Sequence, residues 1–401
     1  MARTTDKDKP GGESMLPQPF RFLLACVALA SLSSAPVAAA PAQTNAPPAP
    51  KTSIIVEEVA KGLKFPWGLQ FLPDSRMLVT ERGGTMRLVA KDGKFSKPVE
   101  GLPHVVNKGQ GGLLDVLLSP DFAVSGTIFF SYAEPRGGFS NGTSVVRAKL
   151  VLEGESGRIE NGEVIFRQEP AARSFYHFGS RLVWDKTGAL FVSLGERADL
   201  SEGAQDLGTH LGKVVRILPD GSAPKDNPFV SRDDVRPEVW SYGHRNVQGA
   251  AIDPETGQLW TTEHGPKGGD ELNHPEAGKN YGWPVITYGI DYSGEKIGDG
   301  IKAKDGMEQP VYYWKPSIGT SGLAFYTGDL FKGWKGNLLA GGMAGLTLER
   351  LVLEAGKVVA VEHLLKERNE RIRDVRVGPD GAVYVLTDDD DGKLLRLRPG
   401  E

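Results

Sequence analysis

Seven polar segments between apolar stretches hold the residues best suited to chemistry. They are GQGGLLD (109–115), FYHFGSRL (175–182), YGHRNVQG (242–249), EHGPKGGDELN (263–273), KNYGWP (279–284), SIGTSG (317–322) and RIRDV (371–375). His177, in the second segment, carries an imidazole, a group that can accept a hydroxyl proton near neutral pH. Taken alone, its setting between aromatic residues favours a hydrogen-bonded packing role.

Three arginines in these segments could bind an anion or stabilise negative charge. Arg371 and Arg373 alternate on a predicted strand, so both side chains should point to the same face. Arg245 follows Gly243 in a predicted turn and precedes Asn246. A guanidinium is planar and permanently charged, which suits both tasks. From the residues alone, Arg371 and Arg373 could equally be solvated strand charges, and a surface position in a turn is favoured for Arg245.

The segment EHGPKGGDELN offers oxygen donors for a metal ion. Calcium binds hard oxygen ligands, including backbone carbonyls, and a Gly-Pro turn can present such carbonyls. The alternative is a Gly-rich turn that only happens to carry carboxylates. Zinc is disfavoured because the four histidines that could suggest it fit no helical zinc motif. These four are His210, His244, His264 and His274. Nucleotide binding is disfavoured because the glycine clusters lack a P-loop lysine.

A short phrase that recurs six times must position these segments. Each copy is an apolar strand, a turn resembling Pro-Asp-Gly and a second apolar strand. The copies are GLQFLPDSRMLVTER (68–82), LLDVLLSPDFAVSGTIFFSYAE (113–134), RLVWDKTGALFVSLGER (181–197), GAAIDPETGQLWTTEHG (249–265), SGLAFYTGDLFKGWKGNLLAGG (321–342) and VRVGPDGAVYVLTD (375–388). Hairpins repeated at intervals of about fifty to seventy residues are typical of propeller blades. The sequence therefore predicts an all-β fold, a six-bladed β-propeller with long inter-strand loops.

Two further strands are predicted outside the six copies. They are IIVEEVAKGL (54–63) and KLLRLRP (393–399), and we expect them to share one blade, because this closes the ring and removes exposed edges. Helical periodicity is poor, and short helical turns are expected at most around 202–211 and 361–369. The acidic run Asp388–Asp391 reads as a solvated hairpin turn.

The first 40 residues are predicted to be an export signal. Arg21 precedes the apolar run FLLACVALASLSSAPVAAA, whose small residues suit cleavage near Ala38–Ala40. The polar leader 1–14 could precede a true start at Met15. The apolar run is short and broken by Ser and Pro, so no stable membrane anchor is expected. A periplasmic or secreted location follows.

The rest of the chain is predicted to contain a linker and one domain. Residues 41–53 read as a Pro/Ala-rich linker without a core-forming pattern, and residues 54–399 as the propeller. Cys26, the single cysteine of the chain, lies in the export signal. Disulfides, thiol catalysis and cysteine-bound metals are therefore excluded from the mature protein. The net charge of −4, without a basic stripe, argues against nucleic-acid binding.

Taken together, the polar segments resemble a known family. GQGGLLD, HFGSRL, GHRNVQG, EHGPKGGDELN, NYGWP and RIRDV occur in the order typical of the soluble glucose/sorbosone dehydrogenases. The nearest members of that family are periplasmic aldose sugar dehydrogenases, which are six-bladed propellers. The resemblance implies two cofactors, pyrroloquinoline quinone (PQQ) and Ca²⁺. It also implies an aldose substrate, oxidised to a lactone by hydride transfer to the quinone, and an external electron acceptor.

The resemblance further implies roles for individual residues. His177 corresponds to the general base that takes the proton of the sugar C1 hydroxyl, and Arg245 to the residue that polarises the quinone. The residues implied to bind the cofactor are Gln110, Arg245, Asn246, Tyr292, Thr320, Ser321, Arg371 and Arg373. Those implied to bind calcium are Gly265 and Pro266 beside the cofactor, and Glu271 and Tyr281 at a second, structural site, with Asp270 as a possible helper.

Two positions depart from the family pattern. Tyr176 stands where the best-known glucose enzymes have an Asp just before the base, which bears on substrate preference. Met343 stands near the position of a lysine in many members, so one contact to a cofactor carboxylate is predicted to be missing or supplied elsewhere.

Loops 134–147 and 286–318 are predicted to shape the sugar entrance. Their aromatic residues could stack on a sugar face or pack against the blades; they are Tyr288, Tyr312, Tyr313 and Trp314. Two alternatives remain open from sequence, a calcium-dependent lactonase and a non-catalytic propeller that binds glycans or proteins. A lactonase would not need the Arg371 and Arg373 pair.

Overall fold

The structure, a computed structural model, describes residues 42–400. This range contains six antiparallel sheets, one for each sequence repeat. The predicted export signal and Cys26 lie outside the described residues. No helix within residues 42–400 is long and apolar enough to cross a membrane.

The six sheets are the blades of a propeller. Blade 1 consists of β2 (Pro66–Phe71), β3 (Met77–Glu81) and β4 (Thr85–Val89). Blade 2 consists of β5 (Leu113–Leu118), β6 (Thr127–Pro135), β7 (Asn141–Glu153) and β8 (Ser156–Arg167). Blade 3 consists of β9 (Leu182–Trp184), β10 (Leu190–Ser193), β11 (Lys213–Ile217) and β12 (Val239–Tyr242). Blade 4 consists of β13 (Val247–Ile252), β14 (Leu259–Glu263), β15 (Asp270–Asn273) and β16 (Tyr312–Trp314). Blade 5 consists of β17 (Thr320–Phe325), β18 (Leu338–Gly342), β19 (Thr347–Glu354) and β20 (Lys357–Leu364). Blade 6 consists of β21 (Ile372–Val377), β22 (Val383–Thr387), β23 (Gly392–Pro399) and β1 (Ile54–Leu63).

Each sequence repeat forms the first two strands of one blade. The second strands, such as β3, β14 and β22, are buried along their whole length, because both of their faces pack against neighbouring blades. This explains why they read as continuous apolar runs between turn signals rather than as alternating patterns. The predicted six-bladed propeller is confirmed.

The core of the molecule lies between the blades. Phe129 and Phe130 are adjacent on β6, yet Phe129 packs in the cluster shared with blade 3 and Phe130 in the cluster shared with blade 1. Successive side chains of a strand point to opposite faces, so one strand serves two junctions. The first strands touch one another in the order β2, β5, β9, β13, β17, β21 and back to β2, which closes the ring.

The two terminal strands share blade 6, as predicted. β1 pairs antiparallel with β23, with register from Ile54 opposite Pro399 to Leu63 opposite Gly392. This pairing joins the two ends of the domain. Helical structure in the described residues is limited to one α-helical turn, α1 (Phe122–Ser125), and two 3-10 turns (Ser201–Ala204 and Lys366–Arg368).

The predicted linker lies against the propeller where the structure describes it. The Tyr313 amide donates to the Gln43 carbonyl at 2.9 Å, and the Val361 amide to that of Pro47 at 2.9 Å. The Ala49 amide returns a bond to Val361 at 2.8 Å, and Ala49 is buried. Residues 42–53 therefore run along the outer strands of blades 4 and 5, although their sequence shows no core-forming pattern.

An ionic cluster near the propeller axis connects the inner strands. Arg181 Nη1 lies 3.0 Å from Asp115 Oδ1 and 3.1 Å from Asp374 Oδ1, and all three side chains are buried. The Arg181 guanidinium also lies over the Trp67 ring, 4.3 Å from its centroid. Buried ion pairs of this kind are costly to break. Arg181, Asp115 and Asp374 come from three of the polar segments, so part of that polarity has a structural role.

Candidate active site

Two adjoining cavities lie at one end of the propeller. Their walls come from residues just before the first strand of a blade and from turns between second and third strands, positions that antiparallel pairing brings to the same end. The long connection between β15 and β16 of blade 4 (residues 274–311) adds a further part of the first wall. The first cavity has a volume of 790 Å³ and is lined by His177 and Arg245 among others. The second has a volume of 450 Å³ and is lined by Arg371 and Arg373 among others. Both include Tyr292 and Pro266 in their walls.

His177 is held in the wall of the first cavity by a buried carboxylate. Its Nδ1 lies 2.7 Å from Glu196 Oε2, and its backbone amide donates to Gln110 Oε1 at 2.8 Å. The Ala198 amide donates to the same Glu196 oxygen at 2.7 Å. An Nδ1–H that donates to a carboxylate leaves Nε2 as the free acceptor of a neutral imidazole. The Glu196 contact therefore fixes the His177 ring and leaves its Nε2 available as a hydrogen-bond acceptor.

Glu196 was not identified from sequence. It follows β10 in the phrase SLGER, where it reads as the charged end of a repeat. A close backbone contact brings it to His177, since a Cβ on Gly195 would lie 2.1 Å from the His177 carbonyl oxygen. Only glycine fits at position 195. In the sequence, this glycine directly before Glu196 is the feature that could have indicated the close contact.

Arg245 reaches the boundary of the two cavities from the start of blade 4. Its Nη1 donates to the Gly265 carbonyl at 2.8 Å and to the His264 carbonyl at 3.1 Å. Its guanidinium lies 5.2 Å from the centroid of the Trp283 ring, and its buried Nε has no partner among residues 42–400. The guanidinium is therefore held through Nη1, while its Nε and Nη2 donors have no partner among the described residues.

Asn246, the neighbour of Arg245, lines neither cavity. Its Oδ1 accepts a bond from the Gly179 amide at 3.0 Å, and its buried Nδ2 has no partner in the described chain. Asn246 thus connects the start of blade 4 to the loop that carries His177.

The second cavity is strongly cationic. Arg82, Lys267, Arg371 and Arg373 line it, and Asp270 is the one carboxylate among its lining residues. The two Asp270 oxygens are occupied by backbone amides, those of Gly265 at 3.0 Å and Gly319 at 2.6 Å. Asp270 therefore fixes the surrounding loops and forms no ion pair with the four cations that line the cavity.

Arg371 and Arg373 converge on one buried carboxylate, Asp388. Arg371 Nη2 lies 2.9 Å and Arg373 Nη2 3.3 Å from Asp388 Oδ2. Burial alone would raise the pKa of Asp388, but the charges of the two arginines outweigh it and hold that pKa at about 2. The solvated-turn interpretation is wrong for Asp388, because the side chain turns inward to the arginines. It is correct for Asp389–Asp391, which are exposed.

As the alternating sequence pattern predicts, the side chains of Arg371 and Arg373 point to the same side. Arg373 is buried and also donates to Gln248 Oε1 at 2.8 Å, while Arg371 is about half exposed. Met343 also lines the cavity, with its sulfur 3.6 Å from Arg371 Nη2. The departure at Met343 therefore lies at the cationic site itself.

The other predicted cofactor residues divide into two groups. Gln110 and Tyr292 line the second cavity, and Tyr292 is 69% exposed. Thr320 and Ser321 line neither cavity, because they begin the innermost strand β17 and their side chains are buried. The Ser321 hydroxyl donates to the Ile372 carbonyl at 2.7 Å. The Thr320 carbonyl accepts a bond from His264 Nε2 at 2.6 Å.

His264 is a further residue of the second cavity. Burial, reinforced by the positive charge of Arg245, lowers its pKa to about 3. The ring is therefore neutral, and its Nε2–H is committed to Thr320.

The predicted calcium residues occupy two neighbouring places. Gly265 and Pro266 line the second cavity. Glu271 and Tyr281 line a narrow cavity beside it, together with Glu263. Burial and the nearby charge of Glu263 raise the pKa of Glu271. Residues 42–400 contain no group of three or more His, Cys, Asp or Glu side chains able to hold a metal.

The aromatic residues proposed for sugar stacking pack against the blades instead. Tyr288 and Tyr313 stack on each other at 4.0 Å, and Tyr312 and Trp314 are buried in the core beside blade 5. The aromatic residues that line the first cavity are Tyr176, Trp283 and Tyr292. Of the two predicted entrance loops, 286–318 lines this cavity and 134–147 does not.

Comparison with known proteins identifies the family of this propeller, in which an oriented histidine lies beside a cationic cavity. The family model for glucose/sorbosone dehydrogenase matches residues 63–396, and the chain belongs to that family. It is 44% identical over 375 residues to the aldose sugar dehydrogenase YliI of Escherichia coli K12, covering 93% of this chain and 97% of the relative.

Two solved structures support the same assignment. The soluble aldose sugar dehydrogenase Asd of Escherichia coli, in its apo form, superposes with a TM-score of 0.82 at 45% identity, covering 87% of this chain and 100% of that one. The PQQ-bound aldose sugar dehydrogenase Adh of Streptomyces coelicolor superposes with a TM-score of 0.72 at 29% identity, covering 87% and 99%. The protein is therefore a sugar oxidoreductase, rather than the lactonase or binding module left open by sequence.

Proposed function

We propose that this protein oxidises aldose sugars to lactones with PQQ and calcium as cofactors. The observation that carries the proposal is the His177–Glu196 pair, which lines the first cavity next to a second cavity lined by four cations. PQQ, when bound, supplies a quinone that accepts a hydride from the sugar C1.

The second cavity fits a flat tricarboxylate such as PQQ. Its cations exceed its carboxylates, and a binding site for a polyanion needs this excess. The buried Nε atoms of Arg82 and Arg373 have no partner in the described chain, which leaves donors available to a ligand. Arg371 and Arg373 would hold ligand carboxylates, while Asp388 keeps the two arginines in place.

The carbonyl oxygens of Gly265 and Pro266 fit a calcium ion. The Gly265 carbonyl accepts a bond from Arg245 Nη1 at 2.8 Å, and a carbonyl oxygen has a second lone pair that could bind calcium. Asp270 holds this turn in place through the Gly265 amide. Neutral carbonyl ligands are common for calcium in proteins.

His177 would remove the proton from the C1 hydroxyl through Nε2. The new positive charge on the imidazole would be stabilised by Glu196, which lies against Nδ1 at 2.7 Å. Arg245, permanently charged at the boundary of the two cavities, would stabilise the negative charge that develops on the side of the cofactor. Trp283 shields one side of the guanidinium, which strengthens that interaction by excluding water.

We also propose a periplasmic or secreted location and an external electron acceptor. The predicted export signal in residues 1–40 supports the location. The acceptor is required because the sugar gives up two electrons and the next turnover needs an oxidised cofactor.

Reconstitution tests the proposed function. Purified protein depleted of cofactors would be mixed with glucose and a redox dye, with PQQ and Ca²⁺ added separately and together, and the product analysed as lactone. We expect dye reduction only when both cofactors are present. Activity without PQQ, or no activity and no thermal shift with PQQ and Ca²⁺, would overturn the proposal.

A further inference from the structure

We propose that the mouth of the first cavity selects aldoses by charge, admitting neutral and cationic sugars and disfavouring anionic ones. This inference rests on the proposed function, since it concerns the sugar that His177 deprotonates.

The rim of this cavity is acidic. Asp199, Glu202 and Asp299 line it and are exposed. In residues 42–400, no ion pair or side-chain hydrogen bond engages these three carboxylates, which we call the acidic rim. Asp291, a fourth lining carboxylate, accepts the Ser293 amide at 2.8 Å.

One cation lies in the cavity wall. It is Arg245, whose Nη1 is held by the carbonyls of His264 and Gly265. The acidic rim and Asp291 together outnumber this cation, so a carboxylate or phosphate on a sugar would meet a net negative charge. Hydroxyl and ammonium groups, by contrast, can donate hydrogen bonds to carboxylates.

The first cavity also contains a buried side chain with a free polar atom, His177, and such an atom indicates that a ligand binds there. His177 is only 8% exposed, and no described residue pairs with its Nε2 in the cavity wall. A sugar whose C1 reaches that nitrogen occupies the same cavity as the acidic rim.

The two cavities differ in the sign of their charge. The cations line the second cavity, and the unpaired carboxylates line the first. This separation directs an anionic cofactor and a non-anionic substrate to different places, although the cavities share Tyr292 and Pro266. Selectivity by repulsion of the wrong ligand is a common device in binding sites.

The size of the effect follows from Coulomb's law. A sugar carboxylate roughly 8 Å from each of three rim carboxylates, in surroundings close to water, experiences a summed repulsion equivalent to about a tenfold discrimination. Salt should weaken the discrimination because the rim is exposed.

Three C6-substituted glucoses of similar shape provide the test. D-glucuronate carries a carboxylate, D-glucuronamide is its neutral isostere, and 6-amino-6-deoxyglucose carries an ammonium group. The reconstituted enzyme should show kcat/KM about tenfold higher for glucuronamide than for glucuronate at low salt. The ratio should fall toward one in the variant Asp199→Asn/Glu202→Gln/Asp299→Asn, and also in wild type at high salt. The aminosugar should lose kcat/KM in the same variant.

The control is Glu354→Gln. Glu354 is an exposed carboxylate at the far end of β19, a strand that starts near Met343, so it lies roughly 23 Å from the cavities. This variant should keep the wild-type ratio. A glucuronamide-to-glucuronate ratio near one in wild type at low salt, or a ratio unchanged in the triple variant with a normal melting temperature, would overturn the inference. Failure to oxidise any aldose would instead refute the proposed function.

Discussion

The contact between Glu196 and His177 yields the sharpest prediction about catalysis. In the variant Glu196→Gln the amide oxygen can still accept the Nδ1–H bond, so the histidine keeps its orientation and only the negative charge is lost. The Nδ1–Oε2 distance is 2.7 Å, and the centres of charge are roughly 4 Å apart. At an effective dielectric constant of about 20, that attraction amounts to about 4 kcal/mol.

Part of this energy is retained by the amide dipole, so we expect a loss of roughly 3 kcal/mol in stabilisation of the protonated histidine. Because each 1.36 kcal/mol corresponds to a factor of ten, kcat should fall about a hundredfold. PQQ affinity should not change, because Glu196 does not line the second cavity. Steady-state dye reduction with glucose gives kcat, and fluorescence titration gives the PQQ dissociation constant.

The matched control is Glu238→Gln. Glu238 Oε2 lies 3.5 Å from His210 Nε2 in the same blade, and this His–Glu pair lines neither cavity. Its substitution should change kcat by less than about twofold, as expected for a site away from the chemistry. A Glu196→Gln enzyme that keeps wild-type kcat, or that loses activity only through weaker PQQ binding, would refute the orienting role of Glu196.

Three further predictions concern the cationic cavity. Arg371→Ala should weaken PQQ binding by about tenfold, the scale of one charge-assisted contact, and should leave kcat at saturating PQQ largely intact; a loss confined to kcat in PQQ titrations would show that the residue does not hold the cofactor. Met343→Lys should tighten PQQ binding, because it adds a cation beside Arg371, and unchanged or weaker affinity in the same titration would contradict this. Asp388→Asn should destabilise the fold at pH 7 by about 2 kcal/mol, because the folded-state pKa of about 2 lies below the unfolded value. That stabilisation is present above about pH 4 and is lost as the pH falls towards 2, so the melting temperatures of wild type and variant should converge in acid; a constant difference would contradict the assignment.

The fold could be read from the sequence because propeller blades are local. Each hairpin forms from neighbouring residues, and six copies of one phrase specify the blade number directly. The closure of the ring by β1 and β23 followed from the need to cover two edge strands. The packing of residues 42–53 could not be predicted, because it depends on backbone hydrogen bonds to blades 4 and 5 and leaves no side-chain pattern.

The candidate site could be predicted only in part, because its contacts join loops that are distant in sequence. His177, Arg245, Arg371 and Arg373 were identified through their segments and do line the cavities. Glu196 and Asp388 were missed, since each is placed in the site by a contact that its own segment does not reveal, with His177 and with the Arg371 and Arg373 pair respectively.

Thr320 and Ser321 illustrate the opposite case. Their segment is polar in sequence, but their side chains point into the packed interior at the start of an innermost strand. A polar segment therefore indicates the right neighbourhood without indicating which side chains face the cavity.

The central claim is that His177 removes the substrate proton beside a quinone held in the cationic cavity. Stopped-flow measurement of the absorbance of bound PQQ, on mixing with glucose or C1-deuterated glucose and without any dye, tests it most directly. For the wild type we predict rapid reduction that is slowed by deuterium. For His177→Asn, loaded with PQQ to the same extent, we predict reduction at least about a thousandfold slower, within the range for loss of a general base. Reduction of PQQ by His177→Asn at the wild-type rate would contradict the account.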